Sequence, residues 1–271
     1  MKRKIFAVPY VVWMILFIVA PMILVFLYAF TDSSMNLTMN NIIKAFAPLS
    51  MEVLLRSLWL AFLATLFCLL LGYPAAYLLS RLKSSTGAIV TVLFLLPMWM
   101  NFLLRTYAWR TLLDMNGILN QLLTGLGLAP VQFLYTPGAV LFGLVYNFLP
   151  FMVLPIYSTF QKMDLSCLEA AEDLGANRMQ CFWRVVLPLS RPGIVSGVIM
   201  VFMPAMTTFA ITRLLGGSNL LYYGDLIENQ FVLMSEWHYG SALSIVLMII
   251  MVISMWIFKR NDKDGEGAGL L

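Results

Sequence analysis

Charged side chains are scarce in this chain: 13 Asp and Glu and 17 Lys and Arg among 271 residues, 11% of the total. A soluble domain is about one-quarter charged. With 61% hydrophobic residues, a globule of this length would carry large apolar patches into water. That composition excludes a soluble enzyme and a nucleic-acid binder, and its apolar content excludes a disordered chain. Three cysteines are too few for a secreted disulfide scaffold. One histidine, His238, and no Cys pair at ligand spacing leave little from which to build a metal site. No G-x-x-x-x-G-K-S/T run occurs, so the chain has no phosphate-cradling loop of its own. Gly125-x-Gly127 has no strand before it and carries no dinucleotide meaning, and no Ser/His/Asp or Cys/His constellation is present. The expectation is a non-enzyme with no catalytic residues, no resident cofactor and no metal.

What the chain does have is lipid-soluble length. Charge-free stretches run over 5–31, 57–80, 84–104, 115–161, 192–212 and 237–258, and a helix needs about 20 mostly apolar residues to cross a bilayer. The first part of the fourth stretch is loop-like, with Gly117, Asn120, Gln121, Gly125, Gly127, Pro130, Pro137 and Gly138. The pattern predicts an all-α polytopic membrane protein, a single domain over 1–271. Its six transmembrane helices fall near 8–30, 56–80, 87–108, 138–160, 193–213 and 239–258. The first apolar run is too long for a signal h-region and has no small-x-small cleavage site before Thr31-Asp32-Ser33-Ser34. It reads as a permanent span.

Orientation follows from Lys and Arg. The N-terminus (Lys2, Arg3, Lys4), the 81–86 loop (Arg81, Lys83), the 161–191 loop (Lys162, Arg178, Arg184, Arg191) and the tail (Lys259, Arg260, Lys263) hold 12 of the 17 basic residues. The opposite side holds Lys44, Arg56, Arg105, Arg110 and Arg213. The positive-inside rule puts both termini and the 161–191 loop in the cytoplasm. Cys68 then lies in a span and Cys167 and Cys181 on the reducing side, so no disulfide is expected. The Gly-rich tail 265–269 is expected to fray, and no internal repeat is visible.

The 161–191 loop is the most informative segment. Ser166-x-x-Glu169 is a capping-box signature, and Gly175 stands where a left-handed residue ends a helix. Asn177-x-x-Gln180 predicts a second helix start and Pro188 a second stop. Leu165, Leu168, Ala171 and Leu174 share one face of the first helix. An amphipathic helix lying on the bilayer is the alternative. Against it, Glu169, Glu172 and Asp173 occupy a polar face where interfacial helices favour Lys and Arg. Two short capped helices separated by glycine suit a shaped protrusion for a protein partner.

Glu169-Ala170-Ala171, three residues, Gly175, nine residues, then Val185-x-Leu187-Pro188 resembles the EAA loop of type I ABC importer permeases, with Val185 where that family usually has Ile. The resemblance implies that the loop is a coupling helix seated on an ATP-hydrolysing subunit, through Glu169, Ala170, Ala171, Gly175, Leu187 and Pro188. It further implies two copies of that ATP-binding subunit, a second permease subunit and an extracytoplasmic substrate-binding protein, in a bacterial cytoplasmic (inner) membrane. Leu71-Gly72-Tyr73-Pro74-Ala75-Ala76-Tyr77, the stretch from Pro97 to Tyr107, and Leu144 to Met152 are similar to the polyamine (spermidine/putrescine) branch, in the manner of its first permease subunit. Sulfate, molybdate and ferric-iron permeases share much of this layout and remain the alternative within the class. A stand-alone secondary transporter is the alternative outside it, and it would be expected to carry intramembrane carboxylates of its own.

A polycation needs negative charge or aromatic faces along its path, yet no Asp or Glu lies inside the six expected spans. The acidic part of the site is therefore expected on a partner permease or the binding protein. Aromatic, amide and hydroxyl groups would come from Trp99, Asn101, Tyr107, Tyr146, Asn147, Thr207 and Thr208. An aromatic face holds an ammonium group for ~0.5–2 kcal/mol. Trp99 reads equally as a packing or lipid-facing residue. Arg105 and Arg110 read as snorkelling to headgroups, His238 as an aromatic-belt neighbour of Trp237 and Tyr239, and Asp225, Glu228 and Glu236 as a solvated outer loop.

Overall fold

The computed structural model describes residues 8–82, 84–164, 166–217 and 220–260. Lys2, Arg3, Lys4, Lys83, Leu165, Lys263 and the 265–269 tail, invoked above, lie outside the described residues. The helices run α1 (Val8–Met14), a π turn (Ile15–Val19), α2 (Ala20–Ala29), α3 (Asn40–Ala45), α4 (Pro48–Arg81), α5 (Ser84–Trp99), α6 (Phe102–Leu113) and α7 (Ile118–Gly125). They continue as α8 (Pro137–Lys162), α9 (Ser166–Asp173), α10 (Arg178–Cys181), a second π turn (Phe182–Val186) and α11 (Leu187–Thr207). α12 (Ala210–Gly216), α13 (Tyr223–Glu228), a third π turn (Asn229–Leu233) and α14 (Trp237–Arg260) complete the chain. Among the described residues the only β pairing is an isolated bridge between Thr31 and Leu37.

Among the described residues, five helices are long and apolar enough to cross a membrane: Pro9–Ala29, Pro48–Arg81, Pro137–Lys162, Arg178–Thr207 and Trp237–Arg260. The expected third span, 87–108, is not one helix. α5 contains Pro97 and ends at Trp99. The Asn101 side chain then opens α6 by accepting from Leu103 N–H at 2.8 Å and Leu104 N–H at 3.4 Å. An internal proline followed by a strong N-cap splits an apolar run that hydropathy alone reads as continuous. The expected fifth span is likewise divided: α11 runs through Pro204 to Thr207, extended Thr208 follows, and α12 starts at Ala210. The stretch expected as loop after residue 115 holds the short helix α7.

Pro188 does not stop a helix. The helix from Arg178 to Thr207 is continuous because the second π turn shifts the ladder, with Leu187 N–H reaching Phe182 O. A wider turn at that point absorbs the donor that proline lacks.

The backbone divides into two compact units. The first comprises 1–56 and 222–253. In it, none of the most apolar window of Pro9–Ala29 is buried, and an uncovered apolar helix of 21 residues is a surface for lipid or for another membrane protein. At the end of α2, His238 Nδ1 lies 3.1 Å from Tyr28 O and 3.4 Å from Thr31 Oγ1, with its ring edge-on to Tyr28. Ser50 Oγ and Tyr239 OH are 2.8 Å apart. Asp225, expected in a solvated loop, is buried and accepts from Tyr222 N–H at 3.2 Å, closing the start of α13.

The second unit, 57–221 and 254–271, is built on the pairing of α8 with α11. Gly193-x-x-x-Gly197 of α11 makes that approach close: a Cβ on Gly193 would sit 2.5 Å from Thr159 Oγ1 and 2.9 Å from Pro155 O. Small residues at four-residue spacing are how helices associate in lipid, where van der Waals contact replaces the hydrophobic effect. Around this pair lies a core of Cys68, Ala76, Leu79, Met152, Val153, Ile156, Phe160, Val186 and Val201.

Candidate functional site

Both helix breaks of the second unit open onto one cavity of about 590 Å³. Its wall is formed by Met98, Met100 and Asn101 at the α5–α6 break, Phe102 and Arg105 of α6, Asn147, Phe148 and Phe151 of α8, and Pro204, Thr207, Thr208 and Ile211 at the α11–α12 break. Irregular backbone within a membrane is tolerated where it lines a cavity, because exposed N–H and C=O groups facing lipid would go unpaired. Most of the wall is apolar, with a few convergent polar groups, the usual make-up of a small-molecule site.

Of the seven residues expected along the substrate path, Asn101, Asn147, Thr207 and Thr208 meet here. Asn147 is 3% exposed, and its Nδ2 donates to Gly143 O at 2.8 Å. That bond fixes the amide orientation and leaves Asn147 Oδ1 buried with no hydrogen-bond partner. Thr207 Oγ1 is engaged with its own helix, donating to Met203 O at 3.2 Å. Trp99 is 76% exposed and outside the cavity wall. Tyr107 faces a separate surface depression beside Arg110, Asp114 and Gln121. Tyr146 packs edge-on against Trp109, 5.2 Å between ring centroids.

Arg105 departs most from expectation. It does not snorkel: it is 8% exposed, and its Nε and Nη1 have no hydrogen-bond partner. Its Cζ lies 5.9 Å from the centroid of the Tyr146 ring, at the outer limit of a cation–π contact worth ~0.5–2 kcal/mol. Burying an ion costs several kcal/mol, and without a partner that cost stands uncompensated. Arginine cannot escape by losing its proton. The ring contact is therefore too weak to be its only compensation. Proximity to the end of an apolar run had suggested headgroup contact. The α6 cap at Asn101, four residues before Arg105, was the available sign that the helix restarts here and turns this face inward. Phe148 and Phe151 were also missed, since nothing distinguishes two phenylalanines in a run apolar on all sides.

The second candidate surface is the α9 region. Asp164 Oδ1 accepts from Ser166 N–H at 2.9 Å, so the carboxylate two residues upstream caps α9, in place of the expected Ser166 box. Hydrogen bonds from Ser166 hold the Asp164 carboxyl below the usual carboxylate range. At the other end, Ala176 N–H reaches Ala171 O at 3.0 Å and Gly175 N–H reaches Glu172 O at 2.9 Å. With Gly175 at φ +82°, this is a complete Schellman stop. Asn177 and Gln180 form the expected reciprocal capping box, each arm 2.9 Å. Leu174, expected on one helix face with Leu165, Leu168 and Ala171, lies just past the end of α9 and is 89% exposed. Leu168 and Phe182 pack on the α4–α8 core. Glu169, Ala170, Glu172 and Asp173 are left exposed, Ala171 is half-buried, and Leu187 and Pro188 are half-buried at the base of α11. The result is an acidic, apolar-tipped protrusion anchored between the two helices that also wall the cavity.

A helical membrane fold with a capped protrusion between two cavity-walling helices is the architecture found here. Residues 4–264 match the family model described as "Binding-protein-dependent transport system inner membrane component", and the chain belongs to that family. Among curated proteins it is 40% identical over 259 residues to the spermidine/putrescine transport system permease protein PotB of Haemophilus influenzae, covering 93% of this chain and 91% of that one. The PotB of Escherichia coli K12 gives 40% over 259 residues, 93% and 94% covered. The E. coli K12 inner membrane ABC transporter permease protein YdcU is 31% identical over 252 residues, 86% and 80% covered. A solved bacterial ABC transporter involved in the import of the acidic polysaccharide alginate superposes at TM-score 0.81 and 18% identity, over 96% of this chain and 95% of that one. A second alginate transporter structure, in complex with an alginate pentasaccharide-bound periplasmic protein, gives 0.82 at 16% identity, with 97% and 94% covered. At those identities the two structures establish the fold.

Proposed function

We propose that this chain, acting as one permease domain over 1–271, forms half of the translocation path of an ABC importer for polyamines such as spermidine and putrescine. The carrying observation is the 40% identity to PotB permeases over 93% of the chain. α8 and α11 supply the physical link: they wall the cavity with Asn147 and Thr207, and the α9 protrusion joins their ends. A partner that moves α9 moves both cavity walls.

In this reading two ATP-hydrolysing subunits grip the α9 protrusions of this chain and of a second permease, with both termini of this chain on the cytoplasmic side. A substrate-loaded extracytoplasmic protein docks on the opposite face. Glu169, Glu172 and Asp173 face basic groups of the ATPase, and Gly175 sets the turn that shapes the contact. In the cavity, Asn147 Oδ1 and Asn101 offer acceptors to an ammonium group, and Phe148 and Phe151 offer ring faces. Such weak contacts suit a site that must release its cargo. Trp99, Tyr107 and Tyr146 belong to the approach to this cavity or to the partner interface.

One observation favours a second reading, an oxyanion cargo such as sulfate or molybdate: the buried cation Arg105 on the cavity wall. Uptake by the reconstituted complex separates the two. Labelled spermidine accumulating with ATP, competed by putrescine and untouched by sulfate, supports the polyamine reading. Competition by sulfate alone overturns it.

A further inference from the structure

We propose that Arg105 is a tethered counter-cation: in the empty transporter it pairs with a carboxylate supplied by the second permease subunit, and the incoming ammonium group of the cargo displaces it. This rests on the polyamine reading above. Arg105 is nine-tenths buried on the cavity wall, and its Nε and Nη1 have no hydrogen-bond partner. Asn147 Oδ1, on the same wall, is an equally buried and unpaired acceptor, and the two groups do not pair with each other. The Arg56–Glu52 salt bridge lies in the other unit and does not involve Arg105. A planar, charged group with unpaired donors is the chemical complement of a carboxylate. The charge balance of the cargo demands the same group: a polycation entering a cavity whose own wall contributes a positive charge needs an anion there, and α5, α6, α8, α11 and α12 contribute no Asp or Glu to that wall.

The arrangement makes an exchange. With no cargo, the borrowed carboxylate is held by Arg105 and is never buried unpaired. Cargo takes the carboxylate, and Asn147 Oδ1 accepts a second N–H from the same ammonium group. Return of Arg105 to the carboxylate then drives the cargo off toward the open side. Arg105 is a positioning residue that competes with the substrate, so its removal tightens retention and slows release.

The test uses the assembled complex of both permeases and the ATPase. In Arg105→Gln, labelled spermidine bound by the purified complex without the binding protein should be held about tenfold more tightly, the scale on which a competing buried charge pair acts. Maximal uptake should fall, and Arg105→Lys should restore both toward wild type. A merely structural role would lower uptake with retention unchanged. Where Arg105→Gln fails to assemble, Arg105→Glu is combined in turn with Lys at each pore-facing Asp or Glu of the second permease. Recovery of uptake in one pair supports the proposal, and recovery in none overturns it. Unchanged retention and uptake in Arg105→Gln also overturns it and leaves the polyamine reading intact. Failure of the wild-type complex to take up spermidine, with sulfate bound in an Arg105-dependent way, overturns both.

Discussion

Gly197 of α11 and Met152 of α8 are in contact so close that a Cβ on the glycine would stand 2.7 Å from Met152 Sδ. That approach lets the two helices that flank the α9 protrusion pack closely, and it makes α8 and α11 one mechanical piece. Replacing Gly197 with Ala adds a methyl where none fits. The helix-propensity gain of ~1 kcal/mol is set against an overpacking cost of about 1–3 kcal/mol. The expected outcome is a lower melting temperature for the purified complex, larger still for Gly197→Leu. An unchanged melting temperature in both variants would show that the helices can separate freely.

Gly175 has φ +82°, and a Cβ there meets nothing within 4 Å. The penalty for a side chain is therefore conformational, roughly 1–2 kcal/mol. Gly175→Asn, which tolerates the left-handed region, should keep ATPase stimulation by loaded binding protein near wild type. Gly175→Val should lose most of it while the permeases still insert. Equal activity in the two variants would remove the turn from the coupling mechanism.

Asn147 and Trp99 separate the cavity from the exposed surface. Asn147→Leu preserves volume approximately and removes the buried acceptor, so spermidine uptake should fall about tenfold or more, on the scale of leaving a bound charge without one hydrogen bond. Trp99→Ala, three-quarters exposed in this chain, should change uptake only a few-fold. The measurement is initial uptake rate at matched complex abundance. Rates that ranked the other way would move the path to the Trp99 surface.

The Asp164 cap on α9 stays charged across the neutral and mildly acidic range. Its carboxyl is held below the usual range by hydrogen bonds from Ser166, so the cap on α9 is in place above the ordinary carboxylate pKa. It is lost as pH falls through the depressed folded value. ATPase stimulation should therefore show no loss from this group between pH 7 and pH 5. Asp164→Ala should lower stimulation a few-fold, evenly across that range, and a loss in Asp164→Ala that grew toward pH 5 would contradict the assignment.

Capping chemistry was legible because it acts within four residues. Asn177 with Gln180 and the stop at Gly175 follow from side-chain and backbone groups adjacent in the chain. The same local logic failed at Pro188, where a π turn a few residues earlier had already displaced the hydrogen-bond ladder. At Leu174, expected on the same helix face as Leu168, the helix has already ended at Asp173, one residue earlier. Asn101 was picked out as a polar group on the path, but its second action, capping α6 and so breaking the third apolar run, emerged only from the backbone.

By itself, the sequence determined that this chain lives in lipid and where the capped segment between α8 and α11 starts and turns. Charge-free length and the spacing of caps and turns are one-dimensional quantities set by neighbours along the chain. Only the tertiary structure decided that Asn101, Asn147, Thr207 and Thr208 share a cavity, that Asp225 is buried, and that Arg105 turns inward. In helices apolar on every side, no pattern marks the face that meets protein. That choice is made where two helix breaks and a glycine-lined contact bring distant segments together.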